Sequence, residues 1–110
     1  MFSVLKITEA DRRTLPERLQ GQPVFAVYEQ GRMTGYCAFT MFEDHVRIDA
    51  LAGEDPFLTD TAFRTVLVNA AELVDRFAFD ADFTAWDRLL TPRDRLESGE
   101  IAAVLHSCGG

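Results

Sequence analysis

Between Thr59 and Phe77 the apolar residues fall at Phe63, Val66, Leu67, Ala70, Leu73, Val74 and Phe77. That spacing lines one side of a helix, while Arg64, Thr65, Asn69, Glu72, Asp75 and Arg76 cover the other. Thr59 or Asp60 stands where a cap for the first amides is needed. Elsewhere the period is two. Val24-Phe25-Ala26-Val27-Tyr28 and the apolar run from Tyr36 to Phe42 read as strands joined through Gln30 to Gly35, whose glycines suit a hairpin. After the polar turn Glu43-Asp44-His45, residues Val46 to Leu51 alternate and then become wholly apolar, which predicts a third antiparallel strand buried on both faces at its far end. Phe77 to Phe83 alternates again, and a strand following so long a helix implies a right-handed crossover to a parallel neighbour.

The ends are patterned more weakly. Phe2 to Ile7 predicts a first strand, and Thr8 with Asp11 marks a helix start whose apolar stripe continues through Leu15 and Leu19 to the stop at Gly21-Gln22-Pro23. Beyond Phe83, Thr84 to Leu90 predicts a short helix ended by Thr91-Pro92, and Ser98 to His106 another with Ser98 as its cap. The order is β-α-β-β-β-α-β with helical pieces after it. This is an α+β domain with a mixed, mostly antiparallel sheet.

Composition narrows the class without changing the fold. The 110 residues fit one domain spanning 1–110, and 47% hydrophobic with 26% charged residues is an ordinary globular profile. Eleven basic against eighteen acidic residues give a net charge of −7, which repels phosphate backbones and anionic membrane surfaces, so no nucleic acid or membrane partner is expected. The run Met1 to Lys6 is too short for a signal peptide and no stretch reaches bilayer length, which leaves the cytoplasm as the expected location. Cys37 and Cys108, far apart in sequence, read as thiols there.

The strand order resembles the core of the GNAT acyltransferase superfamily. Val27 to Phe39, with Gly31, Gly35 and Tyr36, looks like that family's second and third strands. Trp86-Asp87-Arg88-Leu89-Leu90 is similar to the segment following its fifth strand. The resemblance implies a site for acetyl-CoA, with Ala50, Leu51, Ala52 and Gly53 holding pantetheine through their backbone and Thr59 and Thr61 at the pyrophosphate. It also implies a carboxylate base, and Asp49 lies in the strand where related enzymes place one. His45, at the start of that strand, is an imidazole, a group suited to proton transfer near neutral pH.

The departures from the family pattern are specific. Related enzymes cradle the pyrophosphate in an Arg/Gln-x-x-Gly-x-Gly/Ala loop of converging backbone amides. The corresponding residues, Glu54-Asp55-Pro56-Phe57-Leu58-Thr59-Asp60-Thr61, contain neither Gly nor Arg, include a proline without N–H, and carry three carboxylates. Where many members have a tyrosine acid this chain has Trp86, whose indole does not release a proton near neutral pH.

Plainer roles stand beside these. Asp49 is equally a strand-edge carboxylate paired with Arg47, and His45 a solvated turn residue. His106 and Cys108 are two soft ligands without the further pair that a metal site needs, so no metal is expected. Gly109-Gly110 reads as a frayed end. The sequence thus predicts a degenerate GNAT-like domain that binds a small molecule or protein without turnover, no cofactor being expected. The alternatives are an atypical N-acetyltransferase using acetyl-CoA with Asp49 as base, and a homodimeric structural protein.

Overall fold

The computed structural model describes residues 2–80 and 98–107. Six strands form one sheet in chain order: β1 (Phe2–Lys6), β2 (Val24–Glu29), β3 (Arg32–Met41), β4 (Val46–Gly53), β5 (Arg76–Phe79) and β6 (Ser98–Glu100). Neighbours run antiparallel except β4 and β5, which are parallel through Val46↔Phe77, Arg47↔Ala78 and Ile48↔Phe79. The helix α2 (Pro56–Ala70) makes the crossover between that pair. Among the described residues two shorter helices, α1 (Glu9–Arg12) and α3 (Ile101–Ser107), accompany it in an α+β fold.

Thr8 caps α1 as its spacing to Asp11 implies, the hydroxyl accepting from the Asp11 amide at 3.2 Å. The helix does not run on to Leu19, however. Pro16 lacks the N–H that a continuing helix would use, so the segment breaks and resumes as a single 3₁₀ turn, Glu17–Leu19. Leu15 and Leu19 are buried nonetheless, from two separate turns. The β2–β3 hairpin is tighter than the glycine pattern suggests. Only Gln30 and Gly31 form the turn, both left-handed with φ of 52° and 78°, and Arg32 to Gly35 already belong to β3.

The sheet has two covered faces. Val27, Cys37, Ile48 and Leu51 pack under α2 with Phe63, Val66, Leu67 and Phe77, while Ala26, Tyr28, Ala38 and Ala50 pack with Ile7, Leu15 and Leu19 on the α1 side. A bulge makes this double coverage of β4 work. Ala38 faces Ala50 but Phe39 faces Ile48, so Asp49 is an extra residue in β4. The alternation that puts Val46 and Ile48 under α2 is thereby shifted by one, and Leu51 rather than Ala50 occupies the next position in that core. The expected burial of both faces is present, and the bulge is how one strand achieves it.

Helix α2 starts and stops earlier than its apolar pattern predicts. Asp55 is the cap, accepting from the Leu58 amide at 2.9 Å, and Pro56 follows in the first turn where its missing N–H costs nothing. Neither Thr59 nor Asp60 caps it: Thr59 is buried inside the helix and Asp60 pairs with Arg64. The helix ends at Ala70, so Leu73 is left 78% exposed, whereas Val74 and Phe77 reach the core from the connecting turn and from β5. At the other end of the chain Ser98 begins β6 rather than a helix, pairing with Ala78, and α3 starts at Ile101. The expected helix Thr84 to Leu90, the Trp86 segment, the end of the Phe77–Phe83 run, and Cys108-Gly109-Gly110 lie outside the described residues.

Candidate functional site

The residues expected to hold pantetheine, Ala50 to Gly53, form the second half of β4. Ala50, Leu51, Ala52 and Gly53 pair on one side with Ala38, Cys37, Tyr36 and Gly35, and among the described residues the parallel pairing with β5 reaches Ile48↔Phe79, beyond which the Asp80 amide donates to the Ile48 carbonyl at 2.9 Å. Ala50 and Leu51 are buried, Ala52 is half-buried and Gly53 is exposed.

Gly53 then meets the first turn of α2 very closely. A methyl group there would lie 2.2 Å from Thr59 Oγ1 and 2.7 Å from the Thr59 amide nitrogen, so only glycine lets strand and helix approach this far. Gly35, its partner in β3, is confined less and by its own sheet, with the Ala52 carbonyl oxygen 3.0 Å from where a Cβ would sit and the Leu58 carbonyl oxygen in ordinary contact at 3.5 Å. The first turn of α2 is therefore pressed onto the end of the β3–β4 pair.

Its donors face inward. Asp55 takes the Leu58 amide through its carboxylate and the Thr59 amide through its carbonyl at 3.1 Å. The hydroxyls of Thr59 and Thr61 donate to the carbonyls of Asp55 and Phe57, at 3.0 and 2.8 Å. Both threonines expected at a pyrophosphate are thus bonded to their own helix.

The charges at this end are also partnered. Glu54 pairs with Arg32 across the strand ends through a two-pronged contact, one arm at 3.2 Å, and Asp60 accepts from Arg64 Nε at 2.7 Å. The Arg32 guanidinium holds the Glu54 carboxyl below its usual range, chiefly by hydrogen bonding and then by charge attraction. The three carboxylates of the sequence are therefore not three free charges. Two are balanced by arginines, so the start of α2 is marked mainly by occupied amides and tight packing, with unpaired charge secondary.

Asp49 is buried, its side chain 1% exposed, and not at a strand edge. Arg47 Nε donates to Oδ1 and the Thr40 hydroxyl to Oδ2, each at 2.6 Å. Arg47 in turn lies over the Phe42 ring, 5.2 Å from its centroid, and the His45 ring stacks on Phe42 at 4.8 Å. His45 Nδ1 contacts the exposed Asp44 carboxylate at 2.7 Å, and the hydrogen bond holds the Asp44 carboxyl below its usual value. His45 is half-buried by this stacking instead of free in solvent. Asp49 and His45 are thus linked only through Arg47 and Phe42, with no hydrogen bond between them among the described residues. Each Asp49 oxygen carries one donor and the side chain is 1% exposed, so what stands against a role as base is access for a substrate.

The pattern along the chain does not reveal Thr40, Phe42 or Asp55 as the residues that organise these places. Thr40 and Phe42 act through strand register and ring stacking, which sequence spacing does not encode. Asp55 was open to discovery, since Asp followed by Pro is a standard helix opening. Among the described residues no group of three or more His, Cys, Asp or Glu is arranged to hold a metal, and no helix is long and apolar enough to cross a membrane. Family models and curated proteins were both compared with the chain, and none of them matches it.

Proposed function

We propose that this chain is a GNAT-like domain that has given up conventional CoA binding and serves, without turnover, as a binding module for a small molecule or a protein. Its strand order, with antiparallel strands leading through a crossover helix to one parallel pair, supports the resemblance on which this reading rests. The observation that carries the loss is the inward use of donors at the start of α2. Asp55 binds the Leu58 and Thr59 amides, and the Thr59 and Thr61 hydroxyls bind helix carbonyls. A pyrophosphate would have to displace these bonds and separate Gly53 from Thr59. The occupied oxygens of Asp49 fit the same reading, because Arg47 and Thr40 hold the carboxylate in a structural role.

Calorimetric titration with acetyl-CoA and with CoA at moderate salt tests the proposal. The expected result is no binding tighter than the high micromolar range, about −5 to −6 kcal/mol. A low-micromolar dissociation constant for either would overturn it and make an acetyltransferase with Asp49 as base the reading to pursue.

A further inference from the structure

We infer that a groove beside β1 binds a small organic ammonium ion carrying an apolar chain. The groove is open, has a volume of about 800 Å3, and lies on the α1 side of the sheet. Val4 packs against the core on the α2 side, so the alternation of β1 turns Ser3 and Leu5 to the opposite face, where they form the floor with Tyr28, the register partner of Ser3. Thr8, Ala10 and Asp11 form the wall. Leu5 is 56% exposed there and provides an apolar surface for an alkyl chain.

The polar end of the groove is a carboxylate held in place. Asp11 Oδ2 accepts from the Tyr28 hydroxyl and from the Thr8 hydroxyl, both at 2.9 Å, and neither of these bonds uses Oδ1. Tyr28 is itself buried, so the orientation of Asp11 is fixed from beneath. No cation of the protein pairs with Asp11 among the described residues. Arg12, next in sequence, gives Nη1 to the Gln20 and Gln22 carbonyls at 2.9 and 2.5 Å. An oriented, half-buried carboxylate without a countercharge, next to exposed leucine, selects a ligand with a cationic head and an apolar body. The net charge of −7 favours the approach of such a ligand.

Hexylammonium is the probe, with hexanol as its uncharged match, and binding is followed by amide chemical shifts of the whole chain. Saturable shifts are expected at Leu5, Ala10 and Tyr28, with hexanol at least about fivefold weaker. Asp11→Asn keeps an acceptor for both hydroxyls and should weaken hexylammonium about tenfold while leaving hexanol unchanged. Leu5→Lys, at an exposed position that does not disturb the fold, should abolish binding of both. Shifts that do not saturate or lie elsewhere, equal affinity for hexanol, or undiminished binding to Leu5→Lys would each overturn the inference. Should Asp11→Asn unfold, the hexanol comparison and Leu5→Lys decide alone. The CoA titration reports on the start of α2 and this one on the β1 groove, so either reading can fail without the other.

Discussion

Cys37 shows how much a single side chain can reveal about the core. It sits in β3 opposite Leu51, fully buried under α2, and its thiol is pushed well above the ordinary range, first by desolvation and then by the negative charge of Asp49. Below the pKa of the unfolded thiol, about 8.5, both states keep the proton and stability does not depend on this group. Above it the unfolded chain releases a proton that the folded chain retains, so stability falls as pH rises, by about 1.4 kcal/mol per pH unit. Tyr36, raised in the same direction by partial burial, adds a slope of the same sign, so a difference between variants isolates the thiol. Urea denaturation between about pH 8 and pH 10.5 should show Cys37→Ala less stable at the lower pH and flatter toward the higher. Parallel pH profiles for the two proteins would mean that the thiol ionises in the folded state.

At the scale of elements, the junction of β4 and α2 is the feature on which the functional reading turns. Gly53→Ala brings a methyl group within 2.2 Å of the Thr59 hydroxyl, and strand and helix must separate. A loss of about 1–3 kcal/mol in denaturant titration is expected. Removing the hydroxyl in Gly53→Ala/Thr59→Ala should recover only part of it, since the Thr59 backbone nitrogen, 2.7 Å away, still obstructs. Full recovery would place the constraint in the side chain alone and leave the helix start adaptable enough to admit a ligand. This junction was only half legible in the chain. The absence of Gly and Arg from residues 54–61 is plain in the sequence, and so is the crossover helix. The close approach is not, because it depends on how the end of β4 meets Thr59 in the first turn of α2, a relation between elements that no local pattern records. The same reason hid β6: Ser98-Gly99-Glu100 has no apolar alternation and is a strand only because β5 pairs with it.

For the whole molecule, the order of β1 to β5 followed from local signals, one turn or helix at a time, whereas β6, the bulge at Asp49 and the pairing of surface charges emerge only when distant residues meet. Those charges govern how the acidic chain responds to acid. Arg32 and Glu54 come from the ends of β3 and β4, and the Glu54 carboxyl, like that of Asp44 beside His45, is held below its usual value. A depressed folded pKa contributes stability that is complete above the unfolded value, about 4.3 for a glutamate. That contribution is lost as pH falls through the folded value. An opposing trend comes from the net charge of −7, since protonating the remaining carboxylates relieves their mutual repulsion. Glu54→Gln removes the first effect and slightly eases the second, so its stability should decline less than that of the parent between about pH 5 and pH 3. The pair is exposed on both sides, so the difference should shrink in about 1 M salt, where charges are screened beyond about 3 Å. Urea midpoints of the two proteins at low and high salt give the comparison. Identical acid limbs at low salt would show that the Arg32 contact adds nothing to folding and that the Glu54 charge is as available to repel an anion as the sequence alone suggests.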